Sequence, residues 1–282
     1  MSDLSLQPIL VLLSQSAARN PSQYMVEKTF QRHEIDWRYL SVEVAEDALE
    51  DAVRGIRAMG FAGGNCERPY QRRIGALLDQ LGTNAERTGS VNLIRRDEGQ
   101  LVGENTEGKA VVQAIQAVRE SSVHRVLLFG AGDLGRAAAL ELAEAGADEF
   151  IVVSRTEEHA LSLVGLLEDH CESQSRWFVW DADIELSDGI DLVLNATPVG
   201  TETIDELPSL DWQMVSPNAT IADANLEETL PPLLQLATER GLGIVNGLDI
   251  FLEKAAINFQ AWTGIEPDRA VMREAVEEYL EL

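Results

Sequence analysis

The chain has 282 residues, 45% of them hydrophobic and 25% charged, which is enough to bury two separate cores. It carries 48 acidic residues against 22 basic ones, a formal net charge of −26, and so excludes nucleic acid and anionic membrane as partners, since both would be repelled. No apolar run reaches the length of a membrane span and no basic n-region opens Met1-Ser-Asp-Leu4, so a cytoplasmic protein is expected. Cys66 and Cys171 are too few for a disulfide framework. Together with the scattered His33, His124, His159 and His170 they show no metal-ligand spacing, so no metal is expected.

In chain order, Gln7-Pro-Ile-Leu-Val-Leu-Leu-Ser14 reads as a buried strand, and a loop from Ala18 to Gln23 leads into a helix through Tyr24, Met25 and Phe30. Ile35 to Val44 alternates like a strand. Ala45 to Met59 reads as a helix, with Leu49, Val53 and Ile56 on one face and Gly60 ending it. Phe61 to Asn65 gives a third strand, and Pro69 is expected to open a helix from its first turn. Val91 to Ile94 and Gln100 to Val102 flank Asp97-Glu-Gly99, a hairpin signal. From Asn105-Thr-Glu-Gly108 a helix runs to about Arg119.

Val126-Leu-Leu-Phe-Gly-Ala-Gly-Asp-Leu-Gly-Arg-Ala137 follows. An apolar strand ends in Gly130-Ala131-Gly132-Asp133-Leu134-Gly135 and passes straight into a strong helix former, with a second strand at Glu149 to Ser154. Gly130 permits the tight turn, Gly132 lets backbone approach a pyrophosphate, and Gly135 lets the helix pack against the strand. The helix N-terminus then supplies free N–H groups and a positive dipole end to phosphates. At the end of the second strand, where NAD sites keep an acidic residue for the ribose, stands Ser154-Arg155-Thr156. An Arg fork suits a 2′-phosphate and points to NADP. The alternative is that Arg155 is a solvated loop charge and Glu157 or Glu158 takes the ribose.

Further alternation follows: a helix from Glu157 to Leu167, strands at Trp177 to Trp180, Ile190 to Asn195, Ala219 to Asp223 and Gly243 to Asn246, and a helix after Pro231-Pro232. Two helices, Gly247 to Trp262 and Pro267 to Leu282, close the chain without strand partners. The expected fold is α/β: an N-terminal α/β substrate domain (1–105 and 247–282) and a doubly wound Rossmann domain for NADP (106–246). The C-terminal helices return to the first domain.

Several segments together resemble the shikimate dehydrogenase family over essentially the whole chain. They are Ser22-x-x-Met25-x-x-x-x-Phe30, Gly64-Asn65 with Pro69, Ser90-Val-Asn92, and Gly103-x-Asn105-Thr-x-Gly108. The glycine turn, Ser154-Arg-Thr156, Asn195-Ala196-Thr197-Pro-x-Gly200, Asp223-Ala224 and Asn246-Gly247-Leu248 continue the order. The resemblance implies an NADP-linked reduction of the ring ketone of 3-dehydroshikimate to shikimate, or of a close analogue. It also implies an active site in the cleft between the domains, in a monomer or homodimer. Asn195, Ala196, Thr197, Ala224 and Gly247 then belong to the cofactor side, and Asn92 and Asn105 to the substrate side.

The departures from the family pattern fall on the chemistry. The family lysine that moves the proton is Gln71, and Glu67 replaces a substrate-binding threonine. The partner aspartate is Glu107, the paired serines that hold the substrate carboxylate are Asn20 and Ser22, and a substrate-contacting tyrosine is Leu226. Lys254 stands where a substrate-binding glutamine is expected; the only other lysines are Lys28 and Lys109. A positioned proton donor is typically worth roughly 10²–10⁴ in rate, so Lys254, paired with Glu107, is a candidate replacement. Each assignment has a plainer alternative. Lys254 could face solvent from an amphipathic helix, Glu107 could serve a helix dipole, and Asn105 and Thr106 could be helix caps. Asn92 could stabilise the hairpin, Asn195 to Pro198 could be a strand-end turn, and Gly247 could simply start a helix. Three functional readings remain: the shikimate reaction, a paralogue acting on another hydroxy acid or amino-cyclitol, or a non-catalytic NADP-binding regulator.

Overall fold

The computed structural model describes residues 6–18, 20–180, 184–186, 188–200, 207–208, 210–226 and 230–282. Two compact units emerge, one of Met1–Thr106 with Ala255–Leu282 and one of Glu107–Lys254.

The first unit is built on β1 (Ile9–Ser14), β2 (Arg38–Glu43), β3 (Gly63–Cys66), β4 (Gln80–Leu81), β5 (Leu93–Asp97) and β6 (Gln100–Glu104), in spatial order β2-β1-β3-β5-β6-β4. β1 runs parallel to both β2 and β3, and its residues from Leu10 to Ser14 are all buried. That explains a continuous apolar run in place of alternation. The β5–β6 hairpin turns through Glu98 and Gly99, both at positive φ (47° and 86°), the mirror-image turn whose twist suits paired strands. α1 (Ser22–Arg32) buries Met25, Val26, Thr29 and Phe30. α2 (Leu49–Ala58) buries Leu49, Val53 and Ile56, the stripe its spacing foretold. α3 (Thr83–Thr88) is a short helix that no sequence signal announced.

The segment after β3 corrects one expectation: Pro69 opens no helix. Arg68–Pro69 is a cis peptide, and the chain continues in tight turns and a short 3-10 helix at Ile74–Leu77. The cause is tertiary. Tyr70 is fully buried, its hydroxyl donates to the Val44 carbonyl, and the Arg73 and Ile74 amides both donate to the Tyr70 carbonyl at 2.9 Å. The core pulls the aromatic ring inward, and the backbone turns around it. Tyr70 and Ile74 join Val11, Leu13, Leu49, Val53, Ile56 and Ile94 in one apolar cluster.

The second unit carries α4 (Glu107–Val118), β7 (Arg125–Phe129), α5 (Asp133–Glu144), β8 (Glu149–Ser154), α6 (Glu157–His170), β9 (Gln174–Val179), β10 (Ile190–Asn195), β11 (Val215–Asp223), α7 (Pro232–Glu239) and β12 (Gly243–Val245). Its strands are parallel throughout and ordered β12-β11-β10-β7-β8-β9. The order reverses between β7 and β10, which defines a doubly wound sheet with a ligand-binding switch point there. β7, β8 and β10 are almost wholly buried, as a sheet covered on both faces requires.

The chain ends in α8 (Gly247–Thr263) and α9 (Arg269–Leu280). The first part of α8 clusters with the second unit and the rest, from Ala255, with the first. In the first unit Phe259 packs on Phe30, ring centroids 5.5 Å apart, and the Trp262 indole donates to the Ile94 carbonyl at 2.9 Å. Asp268 caps α9, accepting from the Ala270 and Val271 amides.

β3 reaches its place between β1 and β5 only because its first two residues, Gly63 and Gly64, lack side chains. A Cβ on Gly64 would strike the Val11 carbonyl oxygen, and one on Gly63 would strike the Ile94 carbonyl. Gly64→Ala is therefore expected to destabilise the protein by at least ~2 kcal/mol. The urea unfolding midpoint reads this, and an unchanged midpoint would contradict the close approach.

Candidate active site

In the second unit the strand–turn–helix is built as its glycines require. Gly130 sits at φ +103°, its amide donating to the Val153 carbonyl at 2.8 Å, and a Cβ there would come within 2.6 Å of Thr197 Cγ2. A Cβ on Gly135 would strike the Gly130 carbonyl oxygen, so α5 can lie against the end of β7 only with glycine there. Gly132 precedes α5 in extended conformation, is exposed, and has nothing within 4 Å of a built Cβ. α5 therefore starts at an exposed, uncrowded glycine, while Ala131 is buried and Asp133 and Leu134 are half-buried.

Asn195 organises the other side of the switch point. Fully buried at the end of β10, opposite Phe129 of β7, it donates through Nδ2 to the Val199 carbonyl and to Asp223 Oδ2, both at 2.9 Å. Its Oδ1 accepts from the Thr197 hydroxyl at 2.7 Å and the Thr197 amide at 3.1 Å, and its carbonyl accepts from the Ala224 amide at 3.0 Å. The Ala196 amide donates to the Phe129 carbonyl at 2.8 Å. Asp223, also fully buried, accepts further from the Asn225 amide and side chain. Burial pushes its carboxyl above the usual carboxylate range, partly offset by the hydrogen bonds from Asn195 and Asn225. Gly247 lies close against the Asn225 carbonyl and the Leu226 amide, where a Cβ would not fit. Leu226 is half-buried.

At the end of β8, Ser154 is buried and its hydroxyl accepts from the Thr156 amide at 3.4 Å. Arg155 is exposed, and its side chain makes no ion pair or hydrogen bond among the described residues. Glu157 and Glu158 stand in the first turn of α6, where the dipole favours carboxylates. A dinucleotide fits these residues: an open glycine turn at a helix N-terminus, and an uncommitted guanidinium at the adjacent strand end. Lys254 is half-buried, its ammonium 5.4 Å from the Phe251 ring centroid, and Glu107 is half-buried at the start of α4.

The first unit gathers a polar array at the carboxyl ends of β1 and β3. Asn20 accepts from the Ser22 amide at 2.8 Å and donates through Nδ2 to Glu67 Oε1 at 2.5 Å. The Tyr39 hydroxyl donates to Asn65 Oδ1 at 2.9 Å, and Asn65 donates to the Asn92 carbonyl at 3.0 Å. Asn92 Nδ2 donates to Thr106 Oγ1 at 2.8 Å, Asn92 Oδ1 accepts the Thr106 amide at 2.7 Å, and the Thr106 hydroxyl donates to Asn258 Oδ1 at 2.7 Å. Burial, and next the charge of Glu67, raise the Tyr39 phenol well above its ordinary value, so it stays a donor. Gln71 is buried and its Nε2 reaches the Cys66 carbonyl at 3.4 Å. Asn105 is buried and donates to the Ser90 carbonyl at 3.1 Å.

Two members of this array escaped the sequence reading. Tyr39 lies within the stretch read only as an alternating strand, Ile35 to Val44. Asn258 is a polar residue on a buried helix face, which was the available signal. Among the described residues no group of His, Cys, Asp and Glu could hold a metal, and no helix is long and apolar enough to cross a membrane.

A two-unit α/β chain whose doubly wound half opens a glycine turn at its switch point has the architecture of a nicotinamide-dependent oxidoreductase. Comparison with known proteins agrees. Residues 13–94 match the shikimate dehydrogenase substrate binding domain, 112–197 the shikimate/quinate 5-dehydrogenase model, and 247–277 the shikimate 5′-dehydrogenase C-terminal domain. The NADP(+) shikimate dehydrogenase of Desulforamulus reducens is 32% identical over 90% of this chain and 89% of its own, and that of Methanopyrus kandleri 31% over 96% of each. Among solved structures, ligand-free 5-ketofructose reductase of a Gluconobacter species superposes with a TM-score of 0.91 at 30% identity, covering 97% of this chain and 99% of that one. Shikimate 5-dehydrogenase of Thermus thermophilus, solved with NADP(H) and shikimate, gives 0.84 at 27% identity, covering 97% and 100%. The chain belongs to the shikimate dehydrogenase family.

The buried Asp223 yields a pH prediction. A carboxyl raised by burial binds more protons folded than unfolded, so stability falls as pH rises from the ordinary carboxyl value through the raised one. Asp223→Asn should flatten that part of the stability–pH curve, measured by urea unfolding across the acid range. A wild-type curve that rises there, with the same slope in the variant, would contradict it.

Proposed function

We propose that this protein is an NADP(H)-dependent oxidoreductase that interconverts a ring ketone and a secondary alcohol, acting on 3-dehydroshikimate and shikimate or a close analogue. The observation that carries the reading is the open turn Gly130–Gly135 beside uncommitted Arg155, in one chain with the polar array around Asn65 and Asn92. When bound, the nicotinamide supplies or accepts the hydride. The first-turn amides of α5 hold the pyrophosphate and Arg155 holds the 2′-phosphate. Asn195 fixes the 195–197 turn and, through Asp223, the end of β11, so that both strand ends present backbone to the cofactor in one geometry. Asn92 and Asn65, locked by their own bonds, orient substrate hydroxyls.

Reduction builds negative charge on the substrate oxygen, which a proton must meet. Gln71 can donate a hydrogen bond to that oxygen and cannot give up a proton at neutral pH. Lys254 is the candidate donor and Glu107 its candidate partner. Two unbridged cysteines and the strongly acidic composition support a cytoplasmic enzyme, working as a monomer or homodimer. A second reading keeps the hydride chemistry and changes the substrate to another polyhydroxylated ketone. The Glu67–Asn20 pair and the likeness to a ketose reductase favour it.

NADPH oxidation with 3-dehydroshikimate tests the reaction. Gln71→Lys should raise kcat by roughly 10²-fold in a Lys254→Ala background, where the donor is missing. Lys254→Ala should lower it by a similar factor, whereas an unchanged rate would remove Lys254 from the proton path. Arg155→Ala should raise KM for NADP about 10-fold and leave that for NAD alone. Equal effects on both coenzymes would show that Arg155 does not read the 2′-phosphate.

A further inference from the structure

Glu67 brings a carboxylate to the substrate side of the first unit, and its surroundings do nothing to neutralise it. Its backbone is fixed where β3 ends, the amide donating to the Leu13 carbonyl at 3.1 Å. Its side chain is fixed by the Asn20 amide at 2.5 Å. The groups gathered there are Asn20, Ser22, Tyr39 and Asn65, all neutral, and the raised phenol of Tyr39 registers both the burial and the Glu67 charge. Among the described residues Glu67 makes no ion pair; Arg68, next in the chain, is exposed, and Arg19 lies outside the described residues. Lys28 is committed elsewhere, its ammonium 5.0 Å from the Tyr24 ring centroid and facing Glu274 and Glu278. The chain as a whole adds a net charge of −26.

We propose that Glu67, clasped by Asn20, is a specificity-determining residue that ranks uncharged polyhydroxy substrates above their carboxylate analogues. The inference rests on the reading of this array as the substrate arm. Two physical differences favour the neutral ligand. A carboxylate placed beside Glu67 meets like charge in a half-buried site, where screening is weak. A carboxylate also offers only acceptors, while Glu67 presents unfilled lone pairs, and the Tyr39 proton and one of the two Asn20 amide protons are already given away. A hydroxyl donates to those lone pairs. The same residue that repels one ligand binds the other, which is how a difference in affinity is built.

Shikimate and its methyl ester differ only in that charge and serve as probes. Each is titrated calorimetrically into NADP-saturated protein, and NADP reduction is followed with the same pair. The ester should bind and turn over at least ~10-fold better than the acid in the wild type. Glu67→Gln, which keeps the shape and an acceptor for Asn20, should bring the ratio near one, Glu67→Thr should do likewise, and Glu67→Asp should preserve the preference. A wild type that favours the acid, or a ratio unmoved by both neutral variants, overturns the proposal while leaving the reaction standing. Preferential binding of the ester without turnover sustains the proposal and overturns the reaction. Binding of neither probe by protein that still takes NADP overturns both.

Discussion

The approach of α5 to the end of β7 is the constraint on which the second unit depends. Because Gly135 presents no Cβ to the Gly130 carbonyl, the helix begins directly beyond the strand, right after the exposed Gly132. A helix N-terminus so placed is both an anion site and the join between the unit's first two layers. The rest follows from that join. β8 and β10 flank β7, the order reverses there, and the ends of those strands carry Ser154, Arg155 and Asn195 to the same edge.

The first unit solves a different problem, that of holding polar groups in a buried place. Its answer is a relay of carboxamides and hydroxyls in which each donor meets an acceptor: Tyr39 to Asn65, Asn65 to the Asn92 main chain, Asn92 to Thr106, Thr106 to Asn258. Satisfied pairs of this kind cost little to bury and fix the orientation of every member. Glu67 is the exception, a formal charge held by one neutral amide. Glu67 and the buried Gln71 lie in the same short segment, Asn65 to Gln71, whose path is set by the inward pull of Tyr70. A segment positioned by its core residue can change its polar side chains without moving.

Much of the fold was legible in the order of residues. The apolar run before Gly130, the Leu49-Val53-Ile56 stripe and the Asp97-Glu-Gly99 turn each carry a local physical cause, so strand, helix face and hairpin emerged where expected. The glycine roles were legible for the same reason: positive φ and close approach are demands on a single residue. Ile35 to Val44 shortened to Arg38–Glu43, the stretch that β1 pairs, and Pro69 lost its helix because burial of Tyr70 decides that segment from outside it. Sequence alone cannot see an aromatic being claimed by a core.

The sequence by itself determined the alternation of strands and helices, and the glycine turn with Arg155 after the next strand, since each is a matter of residue type at a spacing. Only the tertiary structure decided that Asn20 grips Glu67 across 47 positions, that the Tyr39 hydroxyl donates to Asn65, and that Asn195 holds Asp223 28 residues on. Hydrogen-bond partners distant in the chain are chosen by which strand ends the sheet brings to one edge. Strand order follows from packing between elements, which no local pattern encodes.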